Sequence, residues 1–97
     1  GLTKCRRQRD ICLSAGYTMS VQDTTGSDIA FAAIVHLGQT LPKKYLRCIL
    51  DCRDMVTVKI ADGDFGVVNG FVSAPQSFGL GVTPRLEVLG QPLFSYG

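Results

Sequence analysis

Residues 42–55, P-K-K-Y-L-R-C-I-L-D-C-R-D-M, determine how the rest of the sequence is interpreted. Thr40 is a candidate N-cap for this segment, and Pro42 suits the first turn of a helix. Apolar residues and cysteines recur at helical spacing and form one stripe, made of Leu41, Tyr45, Cys48, Ile49 and Cys52. The pattern predicts a helix over 42–54 with both cysteines on its buried face. Two cysteines four residues apart on a helix pair poorly with each other, so their partners must lie elsewhere.

The remaining cysteines, Cys5 and Cys12, lie in the basic stretch K-C-R-R-Q-R-D-I-C at 4–12. They are seven residues apart and therefore share one face of a short helix predicted over 4–13. An even number of cysteines in a short chain favours disulfides between this helix and the 42–54 segment. Two pairings stay open, Cys5–Cys52 with Cys12–Cys48 and Cys5–Cys48 with Cys12–Cys52. Zinc fits the C-x6-C and C-x3-C spacings badly, and four free thiols are the other alternative.

The other segments favour an α+β fold. Residues 17–23 alternate between apolar and polar, as a half-buried strand does, and Asp28–Leu37 reads as a buried helix that Ser27 caps and Gly38 ends. Further strands are predicted over 55–60, 67–73, 85–89 and 92–96, the first two forming a hairpin. We therefore expect a single domain over residues 1–97, with an antiparallel four- to five-stranded sheet, two or three helices packed on one face, and disulfide staples.

Composition limits the classes of function. The chain has 97 residues, 45% of them hydrophobic and 19% charged, which is typical of a globular domain. Its net charge of +2 is too small for strong phosphate-driven binding, so no nucleic-acid partner is expected. The longest apolar run, residues 29–37, is about half the length that a bilayer span needs. The first residue is Gly, which suits a processed chain or a fragment.

A basic patch is the main candidate binding site. The predicted disulfides would bring the basic N-terminal helix beside the start of the 42–54 segment. An anionic cell surface, a membrane or an acidic protein groove would suit such a patch, and solvated charges are the alternative. The residues of the predicted patch are Lys4, Arg6, Arg7, Arg9, Lys43, Lys44 and Arg47.

Candidate catalytic residues are few. His36 lies inside the apolar run, which favours a structural role over that of a general base. Four aspartates could supply paired carboxylates, although solvated charges and turns are the favoured interpretation: Asp51, Asp54, Asp62 and Asp64. The sequence therefore predicts a protein that is not an enzyme and that has no catalytic site, no metal and no cofactor.

Residues 1–23 resemble the start of the small secreted killer toxins encoded by fungal viruses. The resemblance covers about a quarter of the chain. It implies a secreted, extracellular toxin or effector that binds a cell-surface or membrane protein of a target cell through its basic residues. The matching positions are Cys5, Cys12, Leu13, Ser14, Gly16, Met19, Val21 and Asp23.

Two other classes of function compete with a toxin. One is an interaction or assembly module processed from a larger viral or extracellular protein, for which self-association is possible. The other is a small hydrolase or nuclease that uses His36 with an aspartate.

Overall fold

The computed structural model describes residues 1–24, 26–63 and 65–96. Helices and short strands alternate along the first half of the chain, and the second half is more irregular. In chain order the elements are α1 (Leu2–Ser14), β1 (Met19–Val21), α2 (Asp28–Gln39), β2 (Leu46–Ile49), a 3-10 turn (Arg53–Met55), β3 (Ala61–Gly63), β4 (Val82–Pro84) and α3 (Leu86–Leu89). No helix in the described ranges is long and apolar enough to cross a membrane.

A β-α-β unit, β1-α2-β2, organises the fold. β1 and β2 are parallel, with Met19 opposite Leu46 and Val21 opposite Ile49. Parallel neighbours need a crossover connection, which α2 provides. Such units build α/β folds, whose parallel sheets are covered by helices. Within the described residues, each of these two strands has a strand partner on one side only.

α2 supplies most of the core. Its residues Phe31, Ala32 and Val35 have no exposed surface. Burying side chains of the size of Phe and Val contributes about 1.5–3 kcal/mol each. The buried helix predicted over Asp28–Leu37 therefore matches α2. Partly buried hydrophobic residues that pack against this core are Ile34, Ile49, Phe65 and Val72.

Gly38 has a different role from the predicted one. The helix continues past it to Gln39, so Gly38 does not end α2. A Cβ atom at Gly38 would lie 2.5 Å from Cδ1 and 2.8 Å from Cγ1 of Ile49. The missing side chain is what lets α2 lie directly against β2.

The helix predicted over 42–54 is absent. β2 occupies Leu46–Ile49 instead, and a 3-10 turn follows at Arg53–Met55. Leu46 and Ile49 are half-buried while Arg47 and Cys48 between them are exposed. Pairing with β1 overrides the helical spacing of the apolar residues, because short runs of this kind fit either structure.

The described residues also differ from the expected antiparallel sheet of four or five strands. They form two two-stranded sheets, the parallel β1–β2 pair and an antiparallel β3–β4 pair. Only residues 61–63 and 82–84 make the second sheet, so the predicted hairpin of 55–60 with 67–73 is not formed. Val68 and Phe71 make an isolated bridge around a tight turn, most of segment 85–89 is the short helix α3, and the described residues 92–96 carry no strand.

The disulfide prediction is wrong. All four cysteines lie in the described ranges, and all are thiols. Because residue 48 belongs to a strand, the Sγ of Cys48 donates to Oγ of Ser20 on β1, at 3.4 Å, instead of facing α1. The expectation of a secreted protein loses this support and stays a prediction.

Candidate functional site

The parallel strands end side by side. Val21 and Ile49 are register partners, and the N–H of Leu50 donates to the carbonyl of Val21 at 3.0 Å. Each strand is followed two residues later by an aspartate, Asp23 or Asp51. Ligands of α/β proteins bind outside the carboxyl ends of parallel strands. We therefore treat this part of the molecule as the candidate functional site. We call it the carboxyl edge and define it by Gln22, Asp23, Asp51, Cys52 and Arg53.

Asp51 and Arg53 form a bidentate ion pair. Nε of Arg53 donates to Oδ1 of Asp51 at 2.8 Å, and Nη2 donates to Oδ2 at 2.6 Å. The backbone N–H of Arg53 also donates to Oδ1 at 3.1 Å. The side chains are 28% and 25% exposed respectively. These hydrogen bonds from Arg53 hold the pKa of Asp51 below its ordinary value, so the carboxylate is ionised near neutral pH.

Two aromatic rings support the guanidinium. Cζ of Arg53 lies 4.1 Å from the centroid of the Phe31 ring and 5.2 Å from that of Phe65. The rings themselves are stacked, with centroids 5.5 Å apart. Phe31 is fully buried on α2, so the core of the domain fixes the position of the arginine. Planar guanidinium groups favour such ring faces.

Asp23 is shielded from solvent, whereas Asp51 is partly exposed. Both carboxylate oxygens of Asp23 are shielded from solvent, and neither has a hydrogen-bond partner among the described residues. A Cβ atom at Gly26 would lie 1.6 Å from Oδ2 of Asp23 and 2.7 Å from Cβ of Ala30, so any other residue there would displace the carboxylate. Buried polar atoms without a partner are rare, which marks Asp23 as a candidate functional group.

The start of α2 is tied to the chain beyond the carboxyl edge. Asp28, which is buried, accepts hydrogen bonds from the backbone N–H groups of Ile60 and Ala61, at 3.2 and 3.4 Å. These bonds hold Ile60 and Ala61, at the start of β3, against the helix. Ser27 occupies the N-cap position as predicted, although its side chain makes no capping hydrogen bond.

An open cavity of about 340 Å³ lies beside Arg53. Its walls come from the start of α2 and from the segment after β2, both of which follow the carboxyl ends of the strands. The lining residues are Ser27, Asp28, Arg53, Asp54, Val56, Thr57, Val58 and Lys59.

A second cavity, of about 180 Å³, lies between α1 and β1. Two of the cysteines predicted to form disulfides, Cys5 and Cys12, line it. Gln22, which belongs to the carboxyl edge, also lines this cavity, so the cavity lies next to that edge.

Six of the seven residues of the predicted basic patch have exposed side chains. Arg9 is half-buried, pairs with Asp10 at 2.6 Å, and donates from Nη1 to Oγ1 of Thr40 at 2.5 Å. Lys44 lies over the ring of Tyr45. The binding role of the patch stays a prediction. The exposed members are Lys4, Arg6, Arg7, Lys43, Lys44 and Arg47.

His36 lies away from the carboxyl edge. It is in the second half of α2, and its Nε2 donates to the carbonyl of Leu80 at 3.1 Å. This contact attaches the loop before β4 to the helix. Of the other aspartates considered, Asp62 pairs with Arg85 and Lys59, and Asp64 lies outside the described residues.

Asp51 was predicted as one of several carboxylates without its setting, and Asp23 only as a position that matches the killer toxins. A signal was available in the segments V-Q-D at 21–23 and I-L-D at 49–51, which flank one apolar helix. Strand, helix and strand in that order predict a parallel pair, with both aspartates at the same edge.

A parallel β-α-β unit with a polar carboxyl edge is the part of an α/β domain where enzyme active sites are built. Comparison with known proteins agrees, because the family described as "Enolase C-terminal domain-like" matches residues 1–88. The chain belongs to this family.

Similar proteins and structures carry the names of enzymes. Over 96 residues the chain is 41% identical to the cis-3-hydroxy-L-proline dehydratase of Roseibium aggregatum, covering 99% of this chain and 26% of that protein. A crystal structure described as a mandelate racemase/muconate lactonizing enzyme from Aspergillus oryzae is 68% identical, with a TM-score of 0.94, over 99% of this chain and 27% of that one. An enzyme of the same description from Roseovarius nubinhibens ISM, complexed with magnesium, is 48% identical, with a TM-score of 0.88, over 94% of this chain and 25% of that one.

These findings correct three predictions. The resemblance to killer toxins is wrong, and so is the function of a secreted toxin or effector, because the family and the fold of these residues are those of enolase-type enzymes. The prediction that the protein is not an enzyme is wrong for the same reason. The chain spans about a quarter of the length of these relatives.

Proposed function

We propose that this chain forms part of the catalytic domain of an enolase-superfamily enzyme that eliminates water from a small hydroxy acid, with 3-hydroxyproline as the first candidate. The observation that carries the proposal is the family match over residues 1–88, in which the β1-α2-β2 unit brings Asp23 and Asp51 to one carboxyl edge. The relative named as a cis-3-hydroxy-L-proline dehydratase supports the choice of substrate.

Reactions of this superfamily begin with removal of a proton from the carbon next to a carboxylate. A lysine or histidine base takes that proton, and bound Mg²⁺ would supply positive charge for the substrate carboxylate. In a dehydration, the C–O bond to the neighbouring hydroxyl then breaks as the double bond forms, and the departing oxygen takes a proton from a general acid, so that it leaves as water. Racemisation shares the first step, so the names of the structural relatives are compatible with the same chemistry.

The described residues do not fit a magnesium site by themselves. No group of three or more His, Cys, Asp or Glu side chains that could hold a metal occurs in residues 1–24, 26–63 and 65–96. Asp51 is paired with Arg53, and the ring of His36 is hydrogen-bonded to the carbonyl of Leu80. We therefore assign no metal-dependent step to this segment. Its contribution, in our proposal, is to shape the carboxyl edge and to present hydrogen-bond acceptors there.

Turnover by the protein at its full natural length tests the proposal. Purified enzyme with Mg²⁺ should convert cis-3-hydroxy-L-proline to a product lighter by one water, detected by mass spectrometry. L-Proline is the matched control because it lacks the hydroxyl. In D2O it should exchange its α-proton without elimination.

The substrate panel should also contain mandelate and a muconate. If the enzyme racemises mandelate but does not convert hydroxyproline, the proposed reaction would be racemisation instead of dehydration. Failure to exchange or convert any of these acids would overturn the proposal.

A further inference from the structure

The Asp51–Arg53 pair leaves one part of the carboxylate available. Oδ1 accepts two hydrogen bonds from Arg53, one from Nε and one from the backbone N–H, whereas Oδ2 accepts one. A carboxylate has about four lone-pair sites, so Oδ2 retains one. The side chain is 28% exposed, and it follows the carboxyl end of β2. A donor group arriving at the carboxyl edge could therefore bind Oδ2 without displacing Arg53.

We infer that Arg53 is a positioning residue, which lies on the Phe31 ring and holds the ionised Asp51 carboxylate at the carboxyl edge as an acceptor for an ammonium or hydroxyl group of the substrate. The inference rests on the proposed function. It adds that a cationic amino acid or a hydroxy acid is recognised through Asp51, and that the hydrophobic core takes part in that recognition through the arginine.

Arginine suits this role better than lysine would. Its planar fork meets both oxygens of Asp51 at once and fixes the plane of the carboxylate. Cζ of the same guanidinium lies 4.1 Å from the centre of the buried Phe31 ring. A lysine could supply the charge at one point, but not the orientation.

The charges around the pair are consistent with a fixed, ionised acceptor. The hydrogen bond to Asp51 raises the pKa of the Arg53 guanidinium, and the charges of Asp28 on α2 and Asp54 in the 3-10 turn act in the same direction. Arg53 in turn lowers the pKa of Asp51. Removing the guanidinium should therefore raise the pKa of Asp51, and the acidic limb of the pH–rate profile would move to higher pH if Asp51 must be ionised to bind substrate.

The chain contains a natural control. Arg85 donates from Nε and Nη2 to Asp62, with both distances 2.7 Å, so this pair has the same bidentate geometry. Its side chains are more exposed, at 37% and 54%, and it joins β3 to the start of α3 without contacting Asp51. If Arg53 had only a structural role, losing Arg53 and losing Arg85 should affect catalysis to a similar extent.

The experiment uses the full-length enzyme and three variants, Arg53→Met, Arg53→Lys and Arg85→Met. Methionine keeps an apolar contact with the Phe31 ring but removes the charge. The pKa of Asp51 is measured by NMR titration of 13C-labelled carboxyl groups, with Asp51→Asn identifying the resonance. Values of kcat and KM are measured across pH on cis-3-hydroxy-L-proline, and melting temperature reports on folding.

The expected result is a raised Asp51 pKa in Arg53→Met, with kcat/KM lower by about tenfold or more, the effect of losing one good charge-assisted contact. Arg53→Lys should fall between wild type and Arg53→Met, and it keeps the test valid if Arg53→Met does not fold. Arg85→Met should change neither the Asp51 pKa nor kcat/KM.

Two results would overturn the inference while leaving the proposed function intact. One is wild-type turnover with an unchanged Asp51 pKa in Arg53→Met. The other is a raised pKa without any change in kcat/KM or its pH profile. A wild-type enzyme that turns over none of the acids would instead overturn the proposed function, and with it the substrate contact of Asp51. The NMR titration would then show separately whether Arg53 holds the carboxylate.

Discussion

Replacing Gly38 by alanine tests the contact that brings α2 against β2. The new Cβ would lie 2.5 Å from Cδ1 and 2.8 Å from Cγ1 of Ile49, so Ile49 must move. Overpacking of this kind costs about 1–3 kcal/mol. Alanine within a helix regains about 1 kcal/mol relative to glycine. We therefore expect the free energy of unfolding to fall by about 0–2 kcal/mol.

A double-mutant cycle separates the two opposing effects. Ile49→Val removes Cδ1, the nearer of the two atoms, and alone should cost about 0.5–1.5 kcal/mol. In the Gly38→Ala background the same change should cost nothing or should stabilise, because it relieves the overlap. The coupling free energy should thus reach about 1 kcal/mol, well above the error for independent sites.

Denaturant unfolding of the four full-length proteins of the cycle measures this coupling. Gly66→Ala is the matched control, since a Cβ there has no heavy atom within 4 Å and should be nearly neutral. If the effects of Gly38→Ala and Ile49→Val add within about 0.5 kcal/mol, the close approach of α2 to β2 is refuted.

Further outcomes follow from the core and the charged groups. Phe31→Ala should lower the free energy of unfolding by about 3–5 kcal/mol, measured by urea denaturation, because the ring is fully buried. Asp28→Ala should cost about 1–3 kcal/mol in the same assay, since two backbone N–H groups lose their acceptor, whereas Asp28→Asn keeps one acceptor oxygen and should cost less. Hydrogen bonds from Arg85 lower the pKa of Asp62 to about 2. The stabilisation from this pair is present above the unfolded-state pKa of about 3.9 and is lost as the pH falls through about 2. In an acid-unfolding experiment at low salt, Arg85→Gln should therefore show a weaker dependence of stability on pH in this range. The mass of the unfolded, alkylated protein should be the same with and without prior reduction, and a mass difference from disulfide-protected cysteines would contradict the thiol assignment.

The two long helices, α1 and α2, were predictable because their signals are local. The apolar run of α2, its first-turn Asp28 and the serine before it all lie within the helix or beside it. α1 was likewise placed over nearly the same residues as predicted, Leu2–Ser14 against 4–13. Local propensity and the tertiary structure agree in both segments.

The strands were harder because their stability depends on distant partners. Leu46–Ile49 is only four residues long, and its partner Met19–Val21 lies on the other side of α2. The spacing of Leu41, Tyr45 and Ile49 fitted a helix equally well, and nothing within the segment decides between the two. The cysteines then appeared to share a face, which led to the disulfide prediction.

The site was only partly predictable. Asp51 stood out as a carboxylate, but its partner Arg53 depends on a 3-10 turn, and the supporting ring of Phe31 comes from a helix earlier in the chain. Such a cluster is visible only once the two strands are known to be parallel. The basic stretch at 4–12 drew attention to the basic residues instead.

The free sides of β1 and β2 bear on how this segment behaves in isolation. Each strand has unpaired backbone groups along one edge within the described residues, and large side chains such as Phe78 and Leu93 are almost fully exposed. Unprotected edges recruit strands from other molecules, and exposed aromatic residues strengthen the attachment. A polypeptide limited to residues 1–97 should therefore aggregate as its concentration rises, and the addition of a flanking strand in the correct register should suppress that aggregation. Light scattering, measured as flanking segments are added, would thus show which part of an enolase-type domain keeps residues 1–97 from aggregating while they fold.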